Sequence, residues 1–102
     1  MLKAVFHKKD GAFSGFEISG HAGYGTRGND IVCAAVSSCT MLVCNAVTES
    51  FGENADVAVG ENRITLRLPD NGGEAAEKLL EAFYGHLTAI AEDYSRVKVE
   101  ID

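Results

Sequence analysis

Asp30-Ile31-Val32-Cys33-Ala34-Ala35-Val36-Ser37-Ser38-Cys39-Thr40-Met41-Leu42-Val43-Cys44-Asn45-Ala46-Val47-Thr48-Glu49-Ser50-Phe51 is the stretch on which the fold turns. It holds no glycine or proline and is far longer than an ordinary strand, so it reads as one long helix from about Asp30 to Phe51. Asn29 or Asp30 suits the N-cap, because a short side-chain oxygen can accept the unpaired N–H groups of the first turn. Gly52 suits the stop, where a left-handed residue closes the helix. Apolar residues fall on nearly every side, and the polar ones (Ser37, Ser38, Thr40, Asn45, Thr48) are mostly small. The expectation is a central, largely buried helix.

The flanking segments read as strands. Leu2, Ala4 and Phe6 alternate with Lys3, Val5 and His7, and Asp10-Gly11 turns the chain. Phe16 and Ile18 alternate with Glu17 and Ser19 in a second strand ending at Gly20. Beyond the helix, Val57 and Val59 lead into a Gly60-Glu61-Asn62 turn, and Ile64, Leu66 and Leu68 alternate with Arg63, Thr65 and Arg67. Glu61, Arg63 and Arg67 share one parity, a solvated row, while Glu53 and Asn54 sit in a loop with no evident chemistry. Pro69 to Gly73 breaks the pattern ahead of a second helix, whose Ala76, Leu79, Leu80, Phe83, Leu87, Ile90 and Tyr94 fall on one stripe. Val97, Val99 and Ile101 form an edge-like last strand. The order ββαββαβ, with two local hairpins, predicts an α+β two-layer sandwich: a mostly antiparallel five-stranded sheet with two helices.

With 102 residues and no linker, repeat or low-complexity segment, residues 1–102 are expected to form a single domain. The net charge is −6, and Lys8-Lys9 is the one basic pair, followed at once by Asp10, which disfavours nucleic acid as a partner. Polar residues interrupt the apolar runs, so no membrane span is expected. The first nine residues have neither a long apolar region nor a small-residue cleavage site, so a cytoplasmic protein with reduced thiols is expected. Cys33, Cys39 and Cys44 form no metal-ligand pair. Cys33 and Cys44 share a helical face but lie ~16 Å apart along the axis, so neither a zinc site nor a disulfide is expected.

Chemistry concentrates between Gly20 and Ser37. The loop from Gly20 through His21, Gly23, Tyr24, Gly25 and Arg27 to Gly28 carries four glycines in nine residues. It matches neither phosphate-loop pattern, although Arg27 stands near a helix start that suits an anion. With Asp30 as N-cap, Cys33 takes the third helical position, where free N–H groups and the helix dipole favour an anionic sulfur and suit an oxyanion. Asp30 acts on the sulfur in the opposite sense unless tied up elsewhere. His21 lies twelve residues upstream, within reach as a base, and Ser37 follows Cys33 by one turn on the same face. The plain alternatives are a buried structural cysteine and a simple connecting loop. They suit Cys39 and Cys44, whereas His7 and His86 read as surface or boundary histidines. A redox pair lacks a well-placed resolving cysteine.

The motif Gly20-His21-Ala22, five residues, then Gly28-Asn29-Asp30-Ile31-Val32-Cys33-Ala34-Ala35-Val36-Ser37 resembles the signature of the bacterial ribosomal-processing cysteine protease family, Prp, with no departure inside it. The resemblance implies a cysteine endopeptidase with Cys33 as nucleophile and His21 as general base and acid. Asp30 and Ser37 match the motif's other polar positions and are expected to support them. It further implies removal of the N-terminal extension of a large-subunit ribosomal protein of the bacterial L27 type, cut after a Phe-Phe pair, and a homodimer. No metal or cofactor is implied. The glycine loop is expected to close over an extended peptide, with Tyr24 and Arg27 as its contacts. A reading from another class is a non-catalytic acidic binding module of ribosome assembly.

Overall fold

The computed structural model describes residues 1–23 and 30–102. Its strands are β1 (Leu2–Lys9), β2 (Ala12–Gly20), β3 (Asp56–Gly60), β4 (Arg63–Arg67) and β5 (Val97–Ile101). The helices are α1 (Ile31–Asn45), continued by a π-helical turn over Ala46–Ser50, and α2 (Glu74–Asp93). The sheet order is β3-β4-β2-β1-β5, with every pairing antiparallel except that of β5 beside β1. The expected α+β sandwich is therefore present as a mixed, mostly antiparallel sheet.

Local chemistry accounts for the connections. Asp10 and Gly11 both take positive φ, as a two-residue hairpin turn between right-twisted strands requires. Gly52 takes φ 65° where the helical segment ends.

The helices cover one sheet face. Leu2, Ala4 and Phe6 of β1, Phe16 and Ile18 of β2 and Leu66 of β4 are buried with Leu80, Phe83 and Leu87 of α2. Phe6 is the hub, with ring centroids of Phe13, Phe16, Phe83 and Tyr84 between 5.3 and 5.8 Å away. Phe13 breaks the alternation of β2. A bulge opposite His7 and Lys8 inserts Ser14 into the pairing and turns both Phe13 and Phe16 inward. The other face carries paired charges, Lys3 with Glu100, Arg63 with Glu17 and Arg67 with Asp56, and a His7–Asp102 hydrogen bond.

Two expectations need correction. Helix α1 is not enclosed on all sides: Val32, Val36, Thr40, Val43 and Cys44 are buried, whereas Ile31 is 74% and Leu42 69% exposed. A two-layer fold covers only one side of a helix, so a sequence apolar all round leaves a bare stripe. Thr40 of α1 and Thr48 of the π-helical turn donate to the carbonyls of Val36 and Cys44. The continuous helix Ile31–Ser50 is also long and apolar enough to cross a membrane by length and composition, contrary to the reading of its polar interruptions. Here that apolarity serves core packing on one face.

Glu53 also has a task. Its carboxylate accepts the N–H of Gly73, the N-cap of α2, which has no side chain of its own to cap with. Tyr94 falls just past the end of α2 rather than on its buried stripe.

Truncating the hub tests this packing. Phe6→Ala should destabilise the fold by about 3–5 kcal/mol, read as a lowered midpoint in urea, because a buried phenyl is lost and a cavity remains.

Candidate active site

The end of β2, the segment after it and the start of α1 converge. Asp30 is the N-cap: its Oδ1 accepts the N–H groups of Val32 and Cys33 at 3.0 and 3.1 Å. Its Oδ2 accepts the N–H of Gly23 at 2.9 Å and lies 3.4 Å from the Cys33 sulfur, whose thiol donates to it. One carboxylate thus holds the helix start to the chain that carries His21.

Cys33 sits at the third helical position, half-buried. The N–H of Ala22 donates to its Sγ at 3.1 Å, and Nδ1 of the exposed His21 stands 4.0 Å from the same sulfur. The structure therefore brings Cys33, His21 and Asp30 together. A 4.0 Å separation is too long for direct proton transfer.

One expectation changes. The Val32 and Cys33 amides, the helix-start donors expected to hold an oxyanion, are already occupied by Asp30. Ala22 supplies a backbone N–H to the sulfur instead.

Gly20 and Gly23 both take positive φ, 84° and 77°. A side chain at Gly20 would run into the carbonyl of Met1, so glycine is needed where β2 hands the chain to His21. Gly23 is an anchor point here, since its N–H is committed to Asp30. Tyr24, Gly25, Arg27 and Gly28, the other expected loop residues, lie outside the described residues.

Cys33 and His21 line a groove of about 260 Å³ between α1 and the β3–β4 hairpin. Ser37, Val36 and Thr40 form its helix wall, and Val59, Gly60, Asn62 and Ile64 the hairpin wall. Leu2, Ile18, Ser19 and Arg63 line it as well, so the groove mixes apolar and polar groups. Ser37 lies one turn beyond Cys33, exposed at this wall. The hairpin residues carry no sequence signal of their own. They reach the site because β4 pairs with β2 and the Gly20 N–H bonds the Asn62 carbonyl at 3.0 Å. A larger hollow of about 610 Å³ between the β1–β2 hairpin and α2 contains neither Cys33 nor His21. Glu74, Glu77 and Glu81 line it, and chemistry directs attention to the smaller groove.

The other thiols differ. Cys39 donates to the Ala35 carbonyl at 3.0 Å, and burial pushes both Cys39 and Cys44 above the ordinary thiol range. Among the described residues, no group of three or more His, Cys, Asp or Glu side chains is assembled to hold a metal.

Residues 1–98 match the family model described as Cysteine protease Prp. This chain belongs to the Prp cysteine protease family. The ribosomal processing cysteine protease Prp of Staphylococcus aureus is 30% identical over 80 residues, spanning 76% of each chain. Its counterpart from Bacillus subtilis is 28% identical over 101 residues, 92% of this chain and 90% of the relative. The S. aureus Prp crystal structure with a covalently linked product peptide superposes over all of both chains at TM-score 0.92 and 24% identity, a likeness of fold. SMU.848 from Streptococcus mutans is 29% identical, with TM-score 0.82 over 100% of this chain and 96% of that one. The chain is accordingly a cysteine protease by family.

Thiol labelling separates the three cysteines. Burial raises the pKa of Cys39 and Cys44, which disfavours the thiolate, the reactive form, at both. Iodoacetamide at neutral pH should modify Cys33 first, and Cys33→Ala should remove the early adduct in intact-mass spectra.

Proposed function

We propose that this chain is an endopeptidase in which Cys33 and His21 form the catalytic dyad. It removes the N-terminal extension of a large-subunit ribosomal protein of the L27 type, cutting after a Phe-Phe pair. The observation that carries the reading is the His21 imidazole facing the Cys33 sulfur at 4.0 Å, at the first turn of a helix.

The steps follow from that geometry. As the peptide enters, His21 closes on the sulfur and takes its proton, and the thiolate attacks the scissile carbonyl carbon. The Ala22 N–H, 3.1 Å from the sulfur, stabilises the negative charge while it resides there. The protonated imidazole then gives its proton to the leaving amine as the C–N bond breaks. Water, deprotonated by the same imidazole, hydrolyses the thioester and returns the thiol. Asp30 acts as a support, holding Gly23 and the helix start together, and Ser37 borders the substrate.

An extended peptide suits the groove. Val59 and Ile64 offer accessible apolar surface in this groove, which suits large apolar side chains near the cut. A relative from S. aureus was crystallised with a substrate peptide, which supports a peptide as the class of substrate. The loop residues Tyr24, Gly25, Arg27 and Gly28 complete the reading as substrate contacts. No metal or cofactor takes part, and nucleic acid and membrane are not partners. The work belongs in the cytoplasm, where the three thiols stay reduced.

The homodimer belongs to the same reading. Ile31, Met41 and Leu42 lie exposed along one stripe of α1 with Ala34, Ala35 and Ser38 between them, a surface that a second copy would cover. Leu42→Glu should convert a dimeric mass in light scattering to a monomeric one. A monomeric unsubstituted protein would remove this part of the proposal.

The deciding assay is cleavage of a short peptide containing Phe-Phe-Ala, followed by mass spectrometry. Unsubstituted protein should make a single cut after the second phenylalanine, and Cys33→Ala should bind the peptide without cutting it. Binding without cleavage by both proteins would favour the non-catalytic binding module instead.

A further inference from the structure

Gly23 is held from two directions. Its N–H donates to Asp30, and its carbonyl accepts from Nη1 of Arg96, 73 residues later in the chain. Arg96 is itself fixed. It immediately precedes β5, and its own carbonyl accepts the Leu2 N–H at 2.9 Å. Parallel pairing sets the start of β5 beside the start of β1, and antiparallel pairing sets the end of β2 beside that same point. The turn after α2 therefore delivers a guanidinium to the sheet end from which His21 leaves.

We propose that Arg96 is a positioning residue of this site: with Asp30 it clamps both polar groups of Gly23, and so holds His21 and the Ala22 N–H against Cys33. The proposal rests on the protease reading and assigns Arg96 no contact with substrate. The Gly23 N–H belongs to the Ala22–Gly23 peptide unit and the Gly23 carbonyl to the next one, so Asp30 and Arg96 hold the two units on either side of the Gly23 Cα. Ala22 and His21 precede that anchored point, and a rotation at Gly23 displaces both relative to the sulfur. Arg96 is exposed, which makes its bond a modest contributor to folding and leaves geometry as its main effect.

Arg96→Gln and Arg96→Lys, compared with unsubstituted protein, test this. The glutamine variant should lower kcat on the Phe-Phe-Ala peptide about 10- to 100-fold, as expected for a misplaced catalytic group, with KM and Tm nearly unchanged. Lysine keeps the charge and a donor and should recover part of the loss. The rate-against-pH profile of Cys33 alkylation by iodoacetamide should also move in Arg96→Gln, because the imidazole no longer stands at a fixed distance from the sulfur. A purely structural role would not shift that profile. Unchanged kcat and an unchanged profile would overturn the proposal, as would a loss of activity that follows Tm equally in both variants. Should the glutamine variant unfold, Arg96→Lys alone decides: reduced kcat with retained Tm supports the clamp, and full kcat overturns it. If unsubstituted protein alkylates at Cys33 but never cuts peptide, the protease reading fails, and the alkylation profiles still judge Arg96.

Discussion

A helix begins with N–H groups that have no partner within the helix, and in this chain the Asp30 carboxylate meets two of them. The same carboxylate accepts the Gly23 N–H and faces the Cys33 thiol. Local helix capping and the docking of the His21 segment thereby share one carboxylate, Oδ1 serving the helix start and Oδ2 the Gly23 N–H. The site's other polar contacts, the Ala22 N–H on the sulfur and the imidazole beyond it, are set by where that carboxylate holds Gly23.

The Cys33 thiol donates to this carboxylate at 3.4 Å and accepts the Ala22 N–H at 3.1 Å. Asp30 in turn accepts three backbone N–H groups. Two of those bonds explain why Val32 and Cys33 are not open oxyanion donors. In the proposed mechanism the thiol rests against Asp30 and moves its proton to His21 only when the imidazole closes in.

The sheet gives the site its walls. One face holds the Phe6 cluster and α2, a rigid platform from which β2 and the β3–β4 hairpin extend beneath α1. Because only one face is covered, α1 keeps an apolar outer stripe while its inner side packs and its flank lines the groove. The sequence pattern points to a largely buried helix. Its composition is compatible with two neighbours or with one neighbour and a further copy, and periodicity cannot distinguish them.

The features that sequence determined are those whose cause is local. Alternation in β1, β4 and β5, the 3.6-residue stripe of α2, the Asp10-Gly11 turn, the Asp30 cap and the third-position placement of Cys33 all follow from neighbours a few residues apart. The motif around His21 and Cys33 also pointed to the pair that the fold brings within 4.0 Å. Tertiary structure decided what depends on distant partners. The Ser14 bulge turns Phe13 inward against the pairing strand β1, Glu53 caps α2 from twenty residues away, and Val59, Asn62 and Ile64 reach the groove through strand pairing. Arg96 meets Gly23 only because parallel β1–β5 pairing returns the chain to its starting edge. Hydrogen-bond partners across such separations leave no periodic trace, because chain topology rather than spacing brings them together.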